Sequence, residues 1–250
     1  MYTKDSLLED IRSLGVRADE VITVHTALRS VGAIDSEGYE SGAHVLIEAL
    51  RQSVSEGLLV IPAHTYRNIR EDGPVFDIRR TMPCIGTVPK VAVEMANSAY
   101  DRGDETCIRS MQVSHSVVAF GKRAREFTEC DRPSRTRMPM SGCYGQLYRE
   151  GGRILFIGVD MTCNTFIHAV DEETDATVLG VKMLTVTDYD GSTYQHEEKI
   201  TSGPVAETFV RFTDEIERRG GLIRGKIGDA DAMLIDSRIC YDVVVEATRP

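Results

Sequence analysis

Apolar positions switch between two periods along the chain. Leu7, Leu8, Ile11 and Leu14 recur at helical spacing and predict a helix over residues 3–14, stopped at Gly15. The apolar run from Val21 to His25 reads as a strand, and the small and polar stretch from Thr26 to Gly32 follows it. Helical spacing returns at Ala43, Ile47 and Leu50, and residues 58–62 are the next strand. Strands alternating with helical segments predict an α/β fold with a mostly parallel central sheet.

Residues 63–88 have no period and contain Asp72-Gly73-Pro74, Pro83 and Gly86. Irregular stretches of this length in compact domains often carry function. A helix follows Pro89, through Val91 to Asn97, and a second irregular segment holds Arg109-Ser110 and Ser114-His115-Ser116. Lys122 to Cys130 reads as a short helix, Asp131 to Ser141 as a basic loop, and Tyr144 to Glu150 as a helix. Two apolar runs then flank Asp190-Gly191, which signals a β-hairpin over residues 178–187 and 192–199. An amphipathic helix at 205–219 and one or two strands within 222–235 complete the pattern. Residues 241–247 suit either a helix or a strand. With no repeat and no clear linker, residues 1–250 read as one domain with a hairpin-bearing insertion in its C-terminal part.

The stretch from Arg153 to Glu172 concentrates the chemistry. Ile154 to Ile157 is a buried strand ending at Gly158, Asn164 is placed to cap a helix, and His168 and Asp171 lie three apart on it. An imidazole and a carboxylate thus share one helix face beyond the C-terminal end of a strand, where α/β sheets bind ligands. A carboxylate beside a histidine fixes its tautomer and supports its charged form, which makes it a general base.

Composition narrows the partners. With 29 basic against 39 acidic residues the net charge is −10, which disfavours nucleic acid and suits a cationic partner. The six cysteines are widely spaced with no Cys-x-x-Cys pair, so they read as reduced thiols. No apolar run approaches membrane-span length and the first residues lack a signal-peptide layout, so a cytoplasmic protein without membrane contact is expected.

Four segments, in order, resemble the aminoglycoside 3-N-acetyltransferase family. They are Val24-His25-Thr26-Ala27-Leu28-Arg29-Ser30-Val31-Gly32; Arg109-Ser110 with Ser116, Ala119 and Gly121; Ile157 to Asp160 with Asn164-Thr165 and His168-Ala169-Val170-Asp171; and Gly225 to Ala230. The resemblance implies a three-layer α/β/α fold and acetyl transfer from acetyl-coenzyme A, without a metal, to an amine of an antibiotic aminoglycoside or related amino-sugar. It implies His168 as general base beside Asp171, and residues 25–32 with Arg109 and Ser110 at the coenzyme. The chain departs from the family pattern at Gln112-Val113, at Ser141-Gly142 and at Asp171, which stands where the family has glutamate.

Other groups fit this chemistry. Backbone N–H groups of residues 26–32 or 63–66, or the hydroxyls of Thr26 and Thr65, are candidate donors to a developing oxyanion. His64, Thr65 and Tyr66 are candidates to face the substrate. The acidic run from Asp171 through Glu172 to Asp175 would hold a cationic amine. His44 and His196 read as solvated, and Cys163 as a buried inert thiol. Rival readings are a zinc hydrolase gathering His25, His64 and His168, or a divergent coenzyme A-binding homologue that is inactive or acts on a non-antibiotic amine. No Gly-x-Ser-x-Gly elbow marks a serine hydrolase. A monomer or a homodimer fits equally.

Overall fold

The computed structural model describes residues 1–67, 73–131, 140–174, 178–201 and 206–248. In chain order its elements are α1 (Lys4–Ser13), β1 (Val21–Thr26), α2 (Gly42–Ser53), β2 (Leu58–Pro62), β3 (Val75–Asp77), α3 (Thr87–Asp101), β4 (Cys107–Arg109), β5 (Val117–Phe120) and α4 (Ala124–Glu129). There follow α5 (Cys143–Arg149), β6 (Arg153–Ile157), α6 (Thr165–Thr174), β7 (Val178–Thr187), β8 (Thr193–Thr201), α7 (Thr213–Arg218), β9 (Leu222–Ile227), β10 (Ala230–Asp236) and α8 (Ser237–Thr248). Most of the expected loop at 131–141, and Asp175, lie outside the described residues. None of the described helices is long and apolar enough to cross a membrane.

The chain divides into two compact units, each assembled from distant segments: Met1–Val60, Leu147–Ile167 and Val205–Pro250 form one, Ile61–Gln146 and His168–Pro204 the other. In the first unit β1 lies between β2 and β6 and is parallel to both. These strands are near-continuous apolar runs because both of their faces are covered. Beyond β6 the pairing turns antiparallel, through β10 to β9. The expected parallel alternation therefore describes the sheet's centre, and the outer strands are antiparallel. Helices flank the sheet, with α1 packed on α2 and α7 on α8. Residues 241–247, open in the sequence, are helical in α8, with Val243, Val244 and Val245 buried.

In the second unit β4 and β5 are antiparallel, and a separate sheet runs β3–β7–β8. The hairpin appears where its turn signal placed it, closed by Asp188 N–H donating to Ser192 O at 2.9 Å. Its inner face packs Leu184 and Val186 against Phe76, Ile78 and Val113. That face also carries His196, which is buried and not solvated as expected. Its Nε2 lies 3.3 Å from the fully buried Glu198, and Glu198 accepts from the Ser114 hydroxyl.

Two other expectations change. The single helix expected at 205–219 is a 3-10 stretch over Ala206–Phe212 followed by α7. Phe209 and Phe212 are both buried and three apart, the repeat of a 3-10 helix. The helix expected after Pro89 begins at Thr87, and Pro89 sits in its first turn, where no N–H is needed.

One charged pair braces the first unit from inside. Arg153, at the start of β6, donates from Nε to Glu20 Oε2 at 2.7 Å and from Nη2 to Glu20 Oε1. Glu20 also accepts from the Arg17 N–H at 2.7 Å, and its side chain is 3% exposed. Removing one partner of a buried pair strands the other. Glu20→Ala should therefore lower the unfolding free energy by about 3–5 kcal/mol, measured in a denaturant titration. Adding Arg153→Met should restore a large part of the loss. Equal losses in the single and double variants would show that the pair is not what supports this edge.

Candidate active site

Within the first unit, β1 and β6 end together. Ala27 N–H donates to Ile157 O at 2.9 Å, one residue past the last paired positions of the two strands. The chain then winds through a 3-10 turn, Leu28–Val31, with Val31 buried and Arg29 and Ser30 exposed. Gly158 follows β6 with φ +66°, and a Cβ there would overlap the side chain of Ser30. Glycine at this point is what allows the turn to close onto the strand end.

Two polar atoms at the tip of β1 have no hydrogen-bond partner among the described residues: His25 Nε2 and Thr26 Oγ1, both buried. The His25 ring stacks on Phe156 with centroids 5.2 Å apart. Burial pushes its pKa down to about 4, so the ring is neutral at pH 7. Buried polar atoms are nearly always bonded; the other exceptions among the described residues include Asn97 Oδ1, Arg109 Nη2 and Ser237 Oγ.

The strand β6 leads through Asp160, whose carboxylate caps a short 3-10 turn, to Asn164. Asn164 is fully buried, and its Oδ1 accepts from the Phe166 N–H at 3.2 Å, so it caps α6 as its sequence position implied. His168 lies one turn into α6, with Asp171 and Glu172 one turn further on the same side; all three are half-buried. Cys163 is exposed, not buried as expected, because the 3-10 turn points it outward. Its pKa is nonetheless raised by partial burial, so it is not an activated nucleophile.

The second unit gathers a ring cluster. His64 Nε2 and Tyr144 Oη are 2.9 Å apart, His115 meets the His64 ring edge-on at 4.7 Å, and Tyr66 stacks on His115 at 5.8 Å. Thr65 is committed within this unit: its hydroxyl donates to Val113 O at 2.6 Å and its N–H to Ser114 O at 2.8 Å. His115 and Tyr144 were missed as members of this cluster. Their only sequence signals were a histidine between serines and a tyrosine in a short helix.

Arg109 and Ser110, expected at the coenzyme, are largely bonded within the second unit, with Arg109 Nη2 left without a partner among the described residues. Arg109 is 1% exposed; its Nη1 donates to Ile78 O and Thr81 O, both at 2.8 Å, and its Nε to Ser116 Oγ. Its guanidinium stands over the Phe76 ring, and burial lowers its pKa to about 10. It ties three stretches of backbone together. Ser110 donates to Asp131 Oδ2 at 2.5 Å and accepts from the Val117 N–H. Among the described residues, no three His, Cys, Asp or Glu side chains are grouped to hold a metal.

A sequence model of the family described as aminoglycoside 3-N-acetyltransferase matches residues 23–249. The chain is 28% identical over 188 residues to aminoglycoside N(3)-acetyltransferase III of Serratia marcescens. That alignment covers 67% of this chain and 63% of that protein, so the chain spans less than two thirds of the relative's length. Among solved structures it is similar to the YokD protein from Bacillus subtilis, with a TM-score of 0.81 and 21% identity over 98% of this chain and 92% of that one. It is also similar to AAC-IIIb, solved as a binary complex with CoASH, with a TM-score of 0.78 and 24% identity over 98% and 96% of the two chains. At these identities the likeness to solved structures establishes the fold.

Asp131 gives a pH signature to the second unit. Burial raises its pKa from 3.8 to about 6, partly offset by the Ser110 hydroxyl. Between those two values the folded state holds a proton that the unfolded chain releases, so this group's contribution to stability falls as pH rises through the window. Asp131→Asn removes the titration. The variant should gain on the wild type by about 2–3 kcal/mol between pH 4 and pH 7, read from unfolding curves at each pH. A stability difference independent of pH would contradict the assignment.

Proposed function

Because the chain belongs to the aminoglycoside 3-N-acetyltransferase family, we propose that it transfers an acetyl group from acetyl-coenzyme A to an amine of an aminoglycoside or related amino-sugar. The observation that carries this reading is the pair of unpartnered buried atoms, His25 Nε2 and Thr26 Oγ1, in the segment that resembles the family's coenzyme turn. Residues 25–32 hold the coenzyme in this reading, and the exposed Arg29 adds a charged donor for its phosphates. Arg109 and Ser110 are left out, because burial and bonding commit most of their polar atoms elsewhere.

An alkyl amine is mostly protonated at neutral pH, and only its free base attacks a thioester carbonyl. His168 takes the proton that the amine loses as its nitrogen bonds to the acetyl carbon. The same proton then goes to the departing sulfur as the carbon–sulfur bond breaks. Asp171, one turn on, steadies the imidazolium that forms in between. The Thr26 hydroxyl is the better of the two threonine candidates for the oxyanion donor, since Thr65 already donates to Val113 O. Glu172 and the acidic residues after it attract the cationic substrate.

His168→Ala should lower kcat about 10²–10⁴-fold, the usual worth of a general base, with coenzyme A affinity near wild type. The deficit should shrink at high pH, where more of the amine is free base. Asp171→Asn should fall between the two. A silent Asp171→Asn beside a crippled Glu172→Gln would assign the partner role to Glu172, one residue on. Full activity of His168→Ala with any accepted amine would reject the reading.

A further inference from the structure

The matched segment at residues 225–230 has no part in the chemistry above, yet it lies directly against the turn at 28–32. It forms the tight turn between β9 and β10. Asp229 N–H donates to Val31 O at 3.1 Å. Gly228 has φ +58°, and a Cβ there would overlap that same Val31 oxygen. The position therefore needs glycine for close approach as well as for its backbone conformation. Gly32 faces the Asp229 carboxylate and the Tyr2 ring, and a Cβ on it would overlap Asp229 Oδ2.

Tyr2 completes the bracket. Its hydroxyl donates to Asp229 Oδ1 at 2.6 Å. Its main chain pairs on both sides just past the turn, donating to Ala33 O at 2.7 Å and accepting from the Asp35 N–H at 2.8 Å. Asp10, on α1, accepts from the Gly228 N–H at 2.8 Å and ties the bracket to the helix. The turn itself has little internal support: Ser30 N–H donates to Ala27 O, while Arg29 and Ser30 are exposed. Its conformation is set from behind, by segments more than 190 residues apart in sequence.

We propose that Tyr2, Gly228 and Asp229 are positioning residues for the coenzyme, holding the turn at 28–32 in the conformation that binds it. This inference rests on the reading of that turn as the coenzyme site. None of the three needs to touch the ligand; they act through Val31 O, Gly32 and Ala33. Losing the bracket would let a short exposed turn move while β1 and β6 stay paired, so the effect falls on coenzyme affinity more than on folding.

The test uses the full chain and coenzyme A as the probe, with dissociation constants from calorimetry and melting curves with and without the ligand. Tyr2→Phe and Asp229→Ala should each weaken binding about 2–10-fold, the net worth of one hydrogen bond. Asp229→Asn keeps an acceptor for Tyr2 and should bind as wild type. Gly228→Ala should weaken binding about tenfold or more, as expected when a contact surface is displaced. Gly228→Asn tolerates the left-handed backbone but still overlaps Val31 O, so it should be no better than Gly228→Ala. A purely structural role would lower the melting temperature of the free protein and leave the dissociation constant of the folded fraction unchanged. If coenzyme A neither binds nor stabilises the wild type, the coenzyme reading falls and this inference with it. If the wild type binds and Tyr2→Phe, Asp229→Ala and Gly228→Ala all bind equally well, the inference alone is overturned.

Discussion

The parallel pairing of β1 with β6 is the constraint on which the first unit depends. Both strands are buried on both faces, so a slip of one residue would bring Thr23 and His25 to positions now held by apolar side chains. The register puts Thr26 opposite Ile157, and the next donor, Ala27 N–H, closes on Ile157 O. Two chain segments consequently leave the sheet from one edge: the turn at 28–32 and the stretch that Asn164 winds into α6. The Glu20–Arg153 pair at the opposite ends of these strands fixes the same register from below.

In the second unit Arg109, Ser110 and Thr65 are buried and bonded, and they join backbone segments that have little regular structure of their own. Ser114, His196 and Glu198 do the same beneath the β7–β8 hairpin. His25 Nε2 and Thr26 Oγ1 have no hydrogen-bond partner among the described residues, as also holds for Arg109 Nη2 and Ser237 Oγ; what sets the two apart is their place at the end of β1, in the segment that resembles the family's coenzyme turn. Leaving such atoms unbonded costs about 1–3 kcal/mol each, a cost that a hydrogen-bonding ligand at this strand end would offset.

Much of this was legible in the sequence where one long period or one strong local signal dominates. The helix stop at Gly15, the strands at 21–25 and 58–62, the Asn164 cap and the Asp190-Gly191 hairpin were all readable for that reason. The strands β3, β4 and β5 were not, since three or four residues are too few to display a period. The buried state of His196 was hidden because β8 alternates polar residues on its inner face, where an apolar set would be expected. The ring cluster of His64, His115, Tyr66 and Tyr144 joins segments about 80 residues apart, and no local pattern encodes that meeting. Arg109 and Ser110 stood at a matched motif, and their bonds to Ile78, Thr81, Ser116 and Asp131 could not be read from it. The segment at 225–230 was matched without a role, and only its contact with Val31 and Gly32 supplies one.

The proposed coenzyme site puts the reacting end of the ligand at the end of β1. A crystal structure of the protein soaked or grown with coenzyme A would show where the ligand lies. The ligand's pantetheine and thiol portion should lie against residues 25–28, with Thr26 Oγ1 and His25 Nε2 each gaining a hydrogen-bond partner from the ligand or a water it orders. Coenzyme A bound elsewhere on the protein, with both atoms still unpartnered, would contradict it.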